Sequence, residues 1–269
     1  MTASPTARPI LKWAGGKSQL LSHILPLFPA TYTRYWEPFF GGGAVFFRFL
    51  PPKATLVDVN EDLIITYKAI RTDVQAVIDA LKTHRADKDY YYKIRALDKN
   101  DLNPAEAAAR ILFLNRCCFN GLYRVNKKGQ FNVPFGQNKN PTICNEKVLR
   151  AAAKALKGAK LMHATVFEIE HKIAPGDLVY LDPPYDPLTP TASFTSYTST
   201  PFGENEQVQL AAMFGRLIER GVHAVLSNSD TPLIRDLYRG YRIRKVLARR
   251  SINSNAEKRG PVHEVLITQ

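Results

Sequence analysis

The sequence predicts an α/β protein: a nucleotide-type sheet interrupted by a helical, basic insertion. Three observations predict it. Residues 35–38 run as a short strand into Gly41-Gly42-Gly43, an apolar helix (44–50) and a second strand (55–59) bearing Asp58 near its end. Strand, glycine turn, helix, strand and acid in that order open a nucleotide-type sheet. Residues 107–145 then contain no acidic side chain but hold Arg110, Arg116, Arg124, Lys127, Lys128 and Lys139. From Gly158 the α/β pattern resumes and reaches the apolar run Leu178-Val179-Tyr180-Leu181, which stops at Asp182-Pro183-Pro184-Tyr185.

The remaining elements follow from local pattern. A short helix starts near Lys17 and closes on Ile24-Leu25-Pro26-Leu27-Phe28. Residues 63–71 read as a helix. Residues 73–95 and 104–115 have helical periodicity, with Leu81, Ile94 and Leu97, then Ala108, Ile111 and Leu112, on apolar faces. Residues 122–133 read as a β-hairpin turning at Lys127-Lys128-Gly129. The strand 178–181 is entered from the turn Pro175-Gly176-Asp177, and a helix (206–220), a strand (224–226) and a helix from Thr231 follow it. Residues 241–247 and 262–268 read as two strands joined by a polar connection. The chain divides into an α/β domain, 1–61 with 145–269, and an inserted segment, 62–144. There is no internal repeat.

A net charge of +13 on 269 residues favours a polyanionic partner, foremost nucleic acid. A membrane is disfavoured, because no apolar run approaches the ~20 residues of a spanning helix, and residues 1–9 lack the apolar segment of a signal peptide. Cys117, Cys118 and Cys144 show neither Cys-x-x-Cys nor zinc spacing, so a reduced cytoplasmic setting is expected and a metal is not.

Three constellations carry chemistry. Trp13-Ala14-Gly15-Gly16-Lys17-Ser18 imitates a phosphate loop but has Leu11 where the first glycine belongs. It reads either as a small-residue turn that brings backbone and Lys17 close to a ligand, or as an ordinary loop before a helix. In Glu37-Pro38-Phe39-Phe40-Gly41-Gly42-Gly43, Gly41 and Gly43 permit a tight turn and close ligand approach. Phe46, however, stands where a dinucleotide fingerprint needs its third glycine. Glu37 and Asp58 would repel a pyrophosphate, accept ribose hydroxyls and welcome a cation; that combination points to a sulfonium, S-adenosylmethionine. At Asp182-Pro183-Pro184-Tyr185 the prolines stiffen the backbone and leave carbonyls without a ladder. This suits either a flat heterocycle with an amino group or a plain strand end with a capping aspartate.

Together these residues identify a resemblance. Leu11 to Lys17, Glu37-Pro38-Phe39, Asp58, Asn115-Arg116, Phe119-Asn120-Gly121-Leu122, Arg124, residues 131–136, Asp182 to Tyr185 and Arg250-Ser251-Ile252 resemble the DNA adenine-N6 methyltransferases of the Dam type. The resemblance implies a seven-stranded Rossmann-like methyltransferase sheet with its last strand pair antiparallel, and a DNA-recognition domain within 62–144. It implies that Trp13, Lys17, Asp58 and Asp182 contact S-adenosylmethionine, which leaves as S-adenosylhomocysteine, while Glu37, Phe39, Gly41 and Gly43 shape its pocket. Asn120, Leu122, Arg124 and Pro134 match positions that read the target in duplex DNA, commonly GATC, and Lys12 matches a lysine on the first guanine. Arginine is a bidentate partner of guanine, and Leu122 and Pro134 suit a thymine methyl. Arg116, Asn126, Asn132 and Lys139 would hold phosphates. Phe119 replaces a common tyrosine but keeps a ring to wedge into the stack. Gln137 and Asn138 depart from a basic and an aromatic residue.

The implied chemistry needs an adenine flipped out of the duplex. Tyr185 would stack on it, while Asp182 and the Pro183 carbonyl accept its amino hydrogens and Pro184 keeps the segment rigid. Phe194-Thr195-Ser196-Tyr197 would close over the base or form a surface loop. Arg239, Arg242, Arg244, Lys245, Arg249, Arg250, Lys258 and Arg259 suit a second phosphate-facing surface or a charged edge strand equally. The expectation is a monomeric enzyme located with the nucleoid. The alternatives are an amino methyltransferase for cytosine or glutamine, which more often begins the tetrapeptide with serine or asparagine, and a non-catalytic DNA-binding regulator on the same fold.

Overall fold

The structure is a computed structural model that describes residues 7–138, 140–187, 202–249 and 261–269. Its centre is a seven-stranded sheet of β1 (Tyr35–Glu37), β2 (Ala54–Asp58), β3 (Ala159–His163), β4 (Leu178–Leu181), β5 (His223–Ser229), β6 (Arg242–Arg249) and β7 (Pro261–Thr268). The order is β3-β2-β1-β4-β5-β7-β6. The pairs from β3 through β5 are parallel, and β7 runs against both β5 and β6. This is the Rossmann-like sheet that the resemblance implies.

The α-helices among the described residues are α1 (Leu21–Ile24), α2 (Ala44–Phe49), α3 (Glu61–Thr72), α4 (Val74–Lys82), α5 (Lys88–Ala96), α6 (Pro104–Cys117), α7 (Glu146–Leu156), α8 (Val166–Ile169), α9 (Glu204–Glu219) and α10 (Pro232–Leu237). Several boundaries are set by caps. Asn60 accepts the Leu63 amide to start α3, and Asn103 with Glu106 forms a capping box ahead of Pro104 at α6. The helical stretch expected over 73–95 is two helices, because Asp73 and Asp87 each cap a new start. α7 and β3 lie where the sequence suggested no separate element.

Strand alternation divides the core between the two faces of the sheet. Tyr35, Leu56, Leu178, Tyr180 and Leu266 point to one side, under residues of α2, α3, α4, α6 and α7. Trp36, Val57, Val179, Leu181 and Ile267 point to the other, under α8, α9 and α10. Tyr123, Phe131 and Val133 of the expected hairpin join the first core. The hairpin is a sparse one: Val125 and Phe131 form an isolated bridge, and a turn at Asn126 to Gln130 is closed by two backbone bonds. Its exposed, basic side chains have no second sheet to pack on, so a long ladder gains little there.

The topology also positions the site. β1 and β4 are neighbours, yet their connections leave in opposite directions along the sheet, so a crevice opens beyond their carboxyl ends. Entry to α2 is shaped by Gly41 and Gly43, with φ of 48° and 69°. A Cβ on Gly43 would meet the Phe40 ring at 2.5 Å. Gly43→Ala is therefore expected to cost about 2 kcal/mol or more in urea unfolding, from left-handed backbone strain plus overpacking; an unchanged midpoint would contradict this turn geometry.

Candidate active site and DNA-facing surface

Strand ends at the crevice bring the expected acids together: Glu37 ends β1, Asp58 ends β2, and Asp182 follows β4. Asp58 accepts the amides of Gly41 and Asn60, each at 2.8 Å, which locks the glycine turn against the second strand. Burial pushes its carboxyl up to about 6, against the pull of those amides and of His163. Glu37 is 3% exposed and accepts the Tyr35 hydroxyl at 2.7 Å. Burial pushes it up to about 8, with the bond from Tyr35 opposing and the nearby Asp182 adding to the rise.

Asp182 is held from two sides. Its Oδ1 accepts Lys17 Nζ at 2.8 Å and Ser227 Oγ at 2.8 Å. Burial raises its pKa, and these two partners oppose the rise. Lys17 is buried, donates also to the Gly15 carbonyl at 2.6 Å, and lies 4.5 Å from the centre of the Tyr185 ring. Lys17 therefore sits between the carboxylate and the aromatic face rather than in an open loop. Tyr185 is fixed at its far end by donating to Glu264 Oε2 at 2.7 Å.

The tetrapeptide backbone has its own clamp. Gln207 donates to the Pro184 carbonyl at 2.8 Å, and Asn228 donates to Gln207 at 3.0 Å while accepting the Asp186 amide. The Pro183 carbonyl and Asp182 Oδ2 are left without a hydrogen bond among the described residues.

Trp13 lies against the glycine turn: a Cβ on Gly41 would meet its Cδ1 at 2.8 Å. On its other side Trp13 contacts Tyr123, with ring centroids 5.1 Å apart, and Tyr123 donates to Asp62 at 2.8 Å. Phe39 packs edge-on against Phe202, 5.7 Å away.

Some of the residues expected to read DNA are neighbours: Lys12 lies against Gly121, and the Phe119 amide donates to the Pro134 carbonyl. The Asn115 amide clasps Lys12 through both its N–H and its carbonyl, at 2.8 and 2.9 Å, and also donates to the Gly121 carbonyl. That clasp sets the exposed Lys12 beside the turn of Phe119 and Asn120, both also exposed. Asn120 has φ 55°, a left-handed conformation that asparagine tolerates better than most residues. Arg124 is exposed and donates to Asn132 Oδ1 at 2.7 Å, so its fork is pre-ordered. Asn126 shapes the turn by accepting the Lys128 and Gln130 amides. Arg116 ties α6 to the N-terminal segment through the Ile10 carbonyl at 2.7 Å. Leu122 is half-buried and Pro134 exposed. Lys139, the segment 194–197, Arg250 to Ile252, Lys258 and Arg259 lie outside the described residues. On the edge strand, Lys245 pairs with Asp230, and Arg242 and Arg244 are exposed.

Ser227, Tyr180, Glu264, Gln207 and Asn228 are the site residues that sequence reasoning missed. A signal existed: Ser227-Asn228-Ser229-Asp230 is a polar run at the carboxyl end of a strand, where sheets of this kind bind ligands.

Fold and site define a Rossmann-like methyltransferase. The D12 class N6 adenine-specific DNA methyltransferase model matches residues 13–252, and the chain belongs to that family. It is 41% identical to a type II methyltransferase of Methanocaldococcus jannaschii, covering 97% of this chain and 98% of the relative. It is 40% identical to a type II methyltransferase of Lactococcus lactis subsp. cremoris, over 97% and 95%, and 37% identical to a DNA adenine methylase of Escherichia coli, over 96% and 94%. The chain is an adenine-specific DNA methyltransferase and acts with a methyl donor on DNA. No helix among the described residues is long and apolar enough to cross a membrane.

Glu37 generates a pH prediction. Its folded pKa of about 8 lies above the ordinary 4.5, so the folded state holds the proton more tightly. The resulting stability is full below about 4.5 and is lost as pH rises towards 8. Glu37→Gln, which keeps an acceptor for Tyr35, is expected to gain stability relative to wild type between pH 5 and 8.5, by roughly a few kcal/mol in denaturant unfolding. A difference that does not change with pH would refute burial as the cause.

Proposed function

We propose that this enzyme transfers the methyl group of S-adenosylmethionine to the N6 atom of an adenine flipped out of duplex DNA, within GATC. The observation that carries the reading is the pair of acceptors at the tetrapeptide, Asp182 Oδ2 and the Pro183 carbonyl, without a hydrogen bond among the described residues while Asp182 Oδ1 and the Pro184 carbonyl are occupied.

The donor set fits the cofactor. Two acids at strand ends, one pushed up to about 8 and the other to about 6, suit a ligand that brings its own cationic centre and hydroxyl donors. Trp13 on the glycine turn supplies a flat wall. Trp13, Lys17, Glu37, Phe39, Gly41 and Asp58 would hold the molecule, with Gly43 shaping the turn beneath. When bound, S-adenosylmethionine supplies an electrophilic methyl group and leaves as S-adenosylhomocysteine.

The protein's own residues do the rest. An adenine amine is a weak nucleophile because its lone pair is delocalised into the ring. Asp182 and the Pro183 carbonyl each accept one amino hydrogen, which draws the nitrogen towards sp³ and stabilises the positive charge that develops there. As the N–C bond forms the nitrogen becomes acidic, and one amino proton passes by way of Asp182 to solvent. Tyr185 stacks on the base, its ring fixed by Glu264. Lys17 occupies the place between Asp182 and Tyr185 and withdraws as the base enters. In-line alignment supplies a further share of the barrier reduction. The intact acceptor set favours catalysis over a regulator built on the same fold.

For the target, Arg124, ordered by Asn132, pairs with a guanine; Leu122 and Pro134 press on a thymine methyl; and Asn120 and Lys12 complete the readout. Phe119 fills the gap left by the base. Arg116 braces the surface that Asn126 and Lys139 present to phosphates. Segment 62–144 is the recognition unit, with α3 also packed on the sheet.

Plasmid DNA lacking adenine methylation should become resistant to a methylation-blocked GATC nuclease after incubation with the protein and S-adenosylmethionine. Full cleavage would sink the site assignment. Asp182→Ala should lower the methylation rate on the order of 100-fold or more, with DNA affinity retained; an active variant would remove Asp182 from the chemistry. Arg124→Ala should lose about 1–3 kcal/mol of discrimination at one guanine, read as methylation of sites altered at that base. Unchanged selectivity would overturn its role.

A further inference from the structure

Building on the catalytic reading above, we propose that Ser227 is a positioning residue whose hydroxyl selects the oxygen of Asp182 presented to adenine and keeps that carboxylate ionised. Ser227 lies on β5, fully buried, with Oγ 2.8 Å from Asp182 Oδ1 and 2.9 Å from the Tyr180 hydroxyl. A carboxylate can only accept, so Ser227 must donate to Asp182. That uses its one proton, and the Tyr180 hydroxyl must then donate to Ser227. The three residues form a directed chain of O–H dipoles ending on Oδ1, in which each bond polarises the next.

The consequence concerns Asp182 during turnover. Lys17 shares Oδ1, but it stands between Asp182 and Tyr185, where the base is proposed to stack. Once Lys17 withdraws, Ser227 is the donor that stays, because it belongs to the sheet. It keeps Oδ1 engaged and turns Oδ2 towards the amine. The surroundings make this donor count. Facing Asp182 are Glu37 and Tyr35 from β1, Tyr180 from β4 and Tyr185 beside it, with Glu264 of β7 against Tyr180 and Tyr185 and Lys17 as the cation among the described residues. Glu37, when ionised, opposes a charge on Asp182. Removing the serine hydroxyl shifts that balance further against the ionised form.

A purely structural role is the rival, since a buried serine also satisfies Tyr180. The two roles separate in single-turnover methylation of a GATC duplex by the full-length protein. Ser227→Ala is expected to slow methyl transfer on the order of 10-fold or more, as small misplacements of reacting groups do. DNA and cofactor dissociation constants should stay within a factor of two of wild type (~0.4 kcal/mol). The acidic limb of the pH–rate profile should move to higher pH. Ser227→Thr, which keeps the hydroxyl, should restore both rate and limb. A Ser227→Ala enzyme with wild-type rate and limb overturns the proposal, whatever its melting temperature. If that variant does not fold, Tyr180→Phe decides: a smaller drop with a limb shift in the same direction supports the chain, and an unchanged profile overturns it. Wild-type protein in the same assay separates this from the underlying reading. Inactive wild type refutes the GATC methylation reading, whereas active wild type with an indifferent Ser227→Ala refutes this inference alone.

Discussion

The placement of three carboxyl groups at the carboxyl ends of adjacent parallel strands is the constraint on which the rest of this structure depends. Glu37, Asp58 and Asp182 converge because β2, β1 and β4 are neighbours and each ends on or just before its acid. Burying them together is unfavourable, and the fold answers each one differently. Asp58 takes two backbone amides, Asp182 takes an ammonium and a hydroxyl, and Glu37 takes a tyrosine hydroxyl and a raised pKa. The raised pKa values of Glu37 and Asp58 show that their partners do not fully offset the burial.

The same crevice is joined mechanically to the surface proposed to face DNA. Trp13 touches the glycine turn on one side and Tyr123 on the other, and Tyr123 lies between Leu122 and Arg124 in sequence. Asn115, buried in α6, holds Lys12 and the Gly121 carbonyl together. Residues expected to read DNA and residues expected to hold the cofactor thus share one packed layer. Tyr123, Phe131 and Val133 belong to the core packed on the sheet, beneath the residues proposed to read DNA.

Much of this was legible along the chain. The strands at 35, 55 and 178 and the glycine turn are local signals, governed by side-chain period and by backbone freedom at Gly41 and Gly43. The stiffness of Asp182 to Tyr185 is local too, since proline acts on itself and its neighbour. The capped break between α4 and α5 was also written locally, in Asp87, but apolar periodicity masked it. The strand β3 was not distinguished, because Ala159 to His163 is short and two of its five residues, Lys160 and His163, are charged or polar; helix α7 was not distinguished either.

The fold class, the candidate residues Glu37, Asp58, Asp182 and Tyr185, and the basic character of segment 107–145 could be read along the chain, because each depends on residue type and near-neighbour spacing. Which groups meet Asp182 is settled by contacts between distant parts of the chain. Ser227 is 45 residues away and Lys17 lies at the other end of the chain, with Glu264 behind Tyr185 on the antiparallel strand. Those contacts come from strand order, and strand order is a property of how the whole sheet packs, which no local window of residues contains.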